Sequence, residues 1–323
     1  MDPLIPEFSY ETVFLDPWTE GFPVWVWVWL MGFFVSLSCG VIGNFIVLRR
    51  MALVGDAISH SVLPGLVLAF LISGSMEGPV MLIGAGVAGI LTTVLIEAIH
   101  QNSRVKSNAA LGIVFSTFFA VGVILISLFA GGVHLDIEHV LYGAVEMVPF
   151  HEAAEIGSVW VPYSVVQMIG VSIALIVGTI VFYKELVVTS FDPVMAASLG
   201  MPVRAIHYIL MAILAIVVVS AFSAVGAVLV IAMLILPGAT AALYSDRLMV
   251  LLFMSLPLAL IYSIGGVHLA LWLGCSTAGA MVVVAFGLFL LSWIFSPHRG
   301  LVARALRRWR LRREEESKLS PAS

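Results

Sequence analysis

The chain predicts an all-α, polytopic membrane protein, on three observations. Its 323 residues are 61% hydrophobic and only 11% charged, where globular chains carry about 25% charge. Apolar runs of bilayer-crossing length, about 20 residues, recur from Phe22 to Ser296. When these runs are threaded through a bilayer, all fifteen Lys and Arg fall on one side of it. Helices are the expected spanning element because each satisfies its own backbone in lipid.

About nine spans are expected, near 24–48, 58–74, 79–98, 109–130, 162–183, 205–221, 223–243, 247–264 and 277–296. Merging or splitting around 221–223 would change the count to eight or ten. Residues 1–23 form an N-terminal segment outside the membrane domain, 24–296 the membrane domain, and 297–323 a tail. The run Trp25-Val26-Trp27-Val28-Trp29 alternates like a strand. At the edge of a first span it reads better as an interfacial aromatic belt. The second span is short and interrupted at Pro64-Gly65. In the third, Gly84-Ala85-Gly86-Val87-Ala88-Gly89 suits close helix packing.

Charge sets the orientation. Arg49, Arg50, Arg104, Lys106, Lys184, Arg204, Arg247 and the tail from Arg299 to Lys318 mark the cytoplasmic side. The other side carries Asp2, Glu7, Glu11, Asp16, Glu20, Glu77, Asp136, Glu138, Glu146, Glu152 and Glu155. The N-terminus is therefore expected outside and the C-terminus in the cytoplasm, which requires an odd number of spans. The acidic first 20 residues lack the positive start of a cleavable signal peptide. Tail residues Arg304 to Arg313 suit an inner membrane surface. Cys39 and Cys275, the only cysteines, read as small membrane residues and not as a disulfide.

Four segments carry candidate chemistry. Asp56 and His60 are four apart and share a helix face, just ahead of Pro64-Gly65. A carboxylate and an imidazole together suit a divalent first-row metal, and broken helices at membrane depth line cavities. The competing reading is a helix cap beside a buried histidine. An outer loop supplies His134, Asp136, Glu138 and His139, then Glu146, His151, Glu152 and Glu155. It reads as a cation-focusing vestibule, a docking loop for an external protein, or a solvated loop. The stretch 184–204 is too polar to span and too apolar to be a free linker. Asp192-Pro193 predicts a helix start and Gly200 its end. Phe191, Met195 and Leu199 would face a soluble partner or the lipid interface. In the seventh span Pro237-Gly238 predicts a kink, with Thr240 placed to re-satisfy a freed backbone group. His207, near the start of the sixth, faces either the pathway or the protein interior.

No catalytic constellation is present. The chain has no GxxxxGK[ST] phosphate loop, and Gly-Lys occurs nowhere. It has no Cys-x-x-Cys, His-Glu-x-x-His or Gly-x-Ser-x-Gly either. Enzymatic activity and nucleic-acid binding are not expected.

The segment Gly55-Asp56-Ala57-Ile58-Ser59-His60-Ser61-Val62-Leu63-Pro64-Gly65 resembles the signature of bacterial ABC-type metal-ion permeases. Ala110 through Ser116, Phe191-Asp192-Pro193 through Gly200, and Val225-Gly226 through Ala241 resemble further stretches of that family, in its order. The resemblance covers about residues 25–296. It implies a type II importer-like permease whose two copies, identical or related, pair over two cytoplasmic ATPase subunits. An external binding protein would deliver the metal. It maps pathway ligands onto Asp56 and His60 and the ATPase-coupling helix onto Phe191–Gly200. Asn108 stands where the family often has an acidic residue. The outer loop and the basic tail lean towards the manganese/iron branch. No permanently bound cofactor is implied, only a transported ion: Mn2+, with Zn2+ or Fe2+ as alternatives. A gradient-driven secondary transporter and a non-transporting scaffold are the readings from other classes.

Overall fold

A computed structural model describes residues 8–49, 51, 53–74, 79–129, 145–150, 153–156, 159–297 and 300–305. Its axis is α1 (Phe22–Leu48), which carries Pro23 in its first turn and ends against Arg49. Pro suits that first turn because its missing N–H needs no helical partner there. The most apolar stretch of α1 is 78% buried within the chain. Glycines make this possible. A side chain at Gly43 would run into the Leu234 carbonyl, and one at Gly40 would meet Pro237 at 3.1 Å.

The second span is two helices, α2 (Val54–Ser61) and α3 (Leu63–Ser73). The discontinuity lies at Val62, two residues ahead of the expected Pro64-Gly65. Pro64 sits in the first turn of α3, where it has no N–H to return to the His60 carbonyl. Gly65 is a crossing point and not a break: its missing side chain admits the Gly84 carbonyl of α4 (Pro79–Asn102). Next come α5 (Ser107–Phe129) and two short antiparallel strands, β1 (Ala153–Ile156) and β2 (Val159–Pro162). Among the described residues this hairpin is the one non-helical regular element, and the all-α expectation stands. The hairpin's signal in the sequence is the Gly157-Ser158 pair between two short segments rich in apolar residues, the spacing of a tight hairpin.

After α6 (Tyr163–Val181) the chain forms α7 (Tyr183–Phe191) and α8 (Pro193–Ser198). Then α9 (Val203–Ala242) is followed by the hairpin of α10 (Leu248–Leu273) and α11 (Thr277–Phe295). Gly274, with φ +61°, closes α10.

The length of α9 is deceptive. A straight 40-residue helix would run about 60 Å, twice the hydrocarbon thickness of about 30 Å. Gly226 breaks it with φ 76° and ψ 168°. His207, near one end of α9, bonds Arg49 at the end of α1. Leu243, just past the other end, accepts from Ser296 beyond α11, and Tyr244 bonds Ser292. The C-terminal ends of α1 and α11 lie together, because Asn44 bonds Ser255 in the first half of α10 and α10 pairs with α11 as a hairpin. Both ends of α9 therefore lie at the same end of the bundle, and the chain reverses at Gly226.

Eight helices among the described residues are long and apolar enough to cross a membrane, with α2 and α3 taken together. The return arm Val228–Ala242 is shorter, about 22 Å at 1.5 Å per residue. The two-helix reading of 205–243 therefore stands in altered form: one full arm and one short one, divided at Gly226 and not at 221–223. Arg49, Arg104, Lys106, Lys184, Arg204 and Arg247 all lie at helix ends on one side, the basic end.

The N-terminal segment packs on the far end. A turn at Glu11–Leu15 and another at Asp16–Trp18 sit over α1 and α10. His268 of α10 donates from Nδ1 to the Val13 carbonyl at 2.7 Å and accepts from the Trp18 indole at 3.3 Å.

Candidate functional site

The Asp56–His60 pair is built by α2 alone. One helical turn brings His60 Nε2 to 3.4 Å from Asp56 Oδ1. Ser59 and Ser61 turn their hydroxyls back to the Gly55 and Ala57 carbonyls, at 3.0 and 2.6 Å, and leave the outer face to the pair. Gly55 has no side chain because Leu234 of α9 occupies that space. On the other side α5 supplies Phe115 and Phe119, whose rings lie 5.9 and 6.1 Å from the imidazole. The Asp56 side chain is 43% exposed and that of His60 30%. A carboxylate oxygen and an imidazole nitrogen form two-thirds of a minimal ligand set at most. Among the described residues no group of three His, Cys, Asp or Glu stands ready to hold a metal. Two donors alone do not make a closed metal site, and the described residues supply no third beside them.

His207 lies elsewhere. Its Nδ1 is 3.2 Å from Arg49 Nη1 and its Nε2 3.2 Å from Glu97 Oε2 of α4. Arginine only donates and a carboxylate only accepts. The imidazole is therefore neutral with its proton on Nε2, and both ring nitrogens are engaged. Burial lowers the Arg49 guanidinium from its ordinary value, and an arginine stays protonated all the same. A cavity of about 400 Å3 opens beside these groups, lined in part by Gln101, Ser190, Pro193 and Arg204.

The 184–204 stretch forms α7 and α8 at the basic end. Asp192 caps α8 by accepting from the Met195 N–H at 2.9 Å, and Gly200 leaves the segment with φ +78°. Ala196 is buried, while Phe191, Met195 and Leu199 are each more than half exposed. Val194, at 81%, is the most exposed apolar side chain of this helix; sequence reasoning missed it, although its place after Pro193 turns it outward.

Pro237 and Gly238 pack on α1. Asn44 donates to the Gly40 carbonyl at 2.8 Å and to Ser255 at 3.0 Å, and its Oδ1 lies against Gly238. Thr240 faces the Tyr262 hydroxyl at 3.5 Å and not a freed backbone group. His134, Asp136, Glu138, His139, His151 and Glu152 lie outside the described residues.

Comparison with known proteins places the chain. It is 42% identical over 288 residues to the manganese transport system membrane protein MntD of Bacillus subtilis, covering 89% of this chain and 97% of that one. To the zinc transport system membrane protein TroD of Treponema pallidum it is 44% identical over 278 residues, 86% of this chain and 75% of that one. Its fold is similar to a chain of PsaBC from Streptococcus pneumoniae, solved in complex with Fab, at a TM-score of 0.71 and 35% identity, covering 85% of this chain and 92% of that one. The pattern of the ABC 3 transport family matches residues 22–296, and the chain belongs to that family.

Proposed function

We propose that this chain is the membrane-spanning permease subunit of an ATP-binding-cassette importer for divalent transition metals, foremost Mn2+, in a bacterial cytoplasmic membrane. It is a transport component and not an enzyme. The observation that carries the reading is the Asp56–His60 pair. It is a half-exposed carboxylate and imidazole, 3.4 Å apart, on a face otherwise lined by apolar side chains. Charge near a bilayer centre costs about 2.5–3.5 kcal/mol per residue on insertion scales, so such groups mark ion pathways. A two-ligand site suits transport, because conduction needs binding weak enough to release.

The exposure of the pair favours a second permease copy that covers this face and completes the ligand set. The N-terminus lies outside and the basic end faces the cytoplasm, where α8 presents Phe191, Val194, Met195 and Leu199 to an ATPase subunit. ATP hydrolysis belongs to that partner, since this chain has no phosphate loop. An external binding protein hands the ion to the outer face. Zinc is the second reading, favoured by the name of the Treponema pallidum relative; ligand type alone does not separate the two metals.

The test is uptake by the complex of this chain, its ATPase and its binding protein in liposomes, with Mn2+, Zn2+ and Fe2+ competing. ATP-dependent accumulation of Mn2+ in preference to the others is expected. Preference for Zn2+ would install the second reading, and uptake indifferent to ATP would sink the importer reading in favour of a gradient-driven carrier.

A further inference from the structure

Arg49 caps α1, and its guanidinium reaches three side chains at once. Nε donates to Ser190 Oγ at 3.1 Å, Nη2 to Thr189 Oγ1 at 3.1 Å, and Nη1 to His207 Nδ1 at 3.2 Å. Thr189 spends its own proton on the Glu185 carbonyl at 2.7 Å, so it receives the arginine N–H without competition. His207 passes the chain of bonds on to Glu97 of α4. Four helices, α1, α4, α7 and α9, therefore meet at one fork. The charges are balanced, Arg49 against Glu97, with a neutral imidazole between them. The His207 and Glu97 side chains are only 17% and 14% exposed, so the link is screened from water and is stiffer than a surface ion pair.

What the fork joins matters more than its strength. Ser190 and Thr189 form the last turn of α7, directly ahead of α8. On the far side, α4 and α9 form the wall behind α2. A side chain at Gly89 of α4 would touch Ala215 of α9 at 3.2 Å and Ile58 of α2 at 3.3 Å. Ile58 lies midway between Asp56 and His60. Glu97 and His207 are not a second stopping place for the ion, since both imidazole nitrogens are taken and a guanidinium stands beside them.

We infer that Arg49 is a positioning residue for transport: its fork ties the α7–α8 unit to α1, α4 and α9, so that a displacement imposed on α8 moves the wall behind Asp56 and His60. This rests on the reading of α8 as the ATPase-docking helix. The planar fork is essential, and a lysine, which is a point charge, does not reproduce it.

The test uses the whole complex in liposomes and reads metal uptake and ATP hydrolysis together. Arg49→Lys is expected to hydrolyse ATP within about twofold of the parent while uptake falls about tenfold, inside the range known for residues that couple distant sites. His207→Ala behaves the same way. His207→Gln restores most uptake, because an amide accepts from Arg49 and donates to Glu97. Uptake and hydrolysis falling in proportion, or neither changing, would overturn the linkage. So would equal impairment of the His207→Gln and His207→Ala complexes, and that pair decides the matter if Arg49→Lys does not assemble. Met195→Glu with Leu199→Glu separates the underlying reading: loss of ATPase from the purified complex supports docking at α8, and full retention overturns docking and the linkage built on it.

Discussion

Two faces of the bundle differ sharply. The most apolar stretch of α1 is 78% buried within the chain, and that of α5 only 22%. Around α1, backbone meets backbone at Gly43, and polar side chains find partners: Ser263 donates to the Trp29 carbonyl at 2.6 Å, and Ser38 pairs with Ser172 at 2.6 Å. Around α4 and α5, by contrast, Val87, Ile113, Phe119 and Ile124 face outward, and the partly exposed Asp56 lies on α2, which packs on both helices. Lipid covers apolar side chains at no cost and a carboxylate at a high one. The first face is a finished core that holds the helices in place. The second is half a surface, and its chemistry belongs to whatever completes it.

Gly43→Val drives a side chain into the Leu234 backbone, which cannot move aside as a flexible chain end would. Overpacking of this kind costs about 3 kcal/mol or more, and loss of a folding transition in detergent is expected. A variant that melts like the parent would break the picture of α1 as a rigid axis. Asp56→Ala and His60→Ala probe the other face. Uptake is expected to fall at least a hundredfold, about 2.7 kcal/mol on the transport barrier, with the melting temperature lowered only slightly, since the two groups bond each other within α2 and only the imidazole meets another helix, at Phe115 and Phe119. A large loss of stability would instead make the pair structural.

Between these extremes lies Asn44→Leu, which strips Ser255 and the Gly40 carbonyl of a buried donor. A destabilisation of about 1–2 kcal/mol follows, as for polar links between model helices in membranes. The smallest effect is expected from Ser172→Ala. Its hydroxyl bond to Ser38 is worth about 0.6 kcal/mol on the average of measured membrane pairs, a change readable only by chemical denaturation side by side with the parent.

What could be read from sequence follows the range of each interaction. Asp192-Pro193 announces α8 because capping is local: the donor, Met195, is three residues away. The Asp56–His60 pair is legible for the same reason, four residues on one turn. His207 is the opposite case. Its partners lie 110 and 158 residues away, and nothing about a lone histidine near an apolar run distinguishes a pathway ligand from a bridge between helices. Pro64 is a further lesson. Its effect falls upstream, on the turn that would have bonded to it, so the helix ends at Ser61 and Gly65 is left for packing. The length of the apolar run in α9 calls for two spans, but both arms and the corner between them are apolar, so hydropathy does not place the reversal at Gly226.

That reversal bears on how the protein is made. Between Arg204 and Asp246 the chain carries no Asp, Glu, Lys or Arg. A machinery that orients segments by flanking charge is told only that Arg204 and Arg247 belong on one side, and not where between them the chain turns. The turn must come from the backbone. At φ 76° and ψ 168° Gly226 occupies a region nearly closed to other residues, at a cost of about 1–3 kcal/mol for any that replaces it. If the stretch ran straight, α10 and α11 would enter inverted, and Arg247 would lie at the opposite end of the bundle from Arg49 and Arg204. The topology of the last third of the chain hangs on one residue that has no side chain.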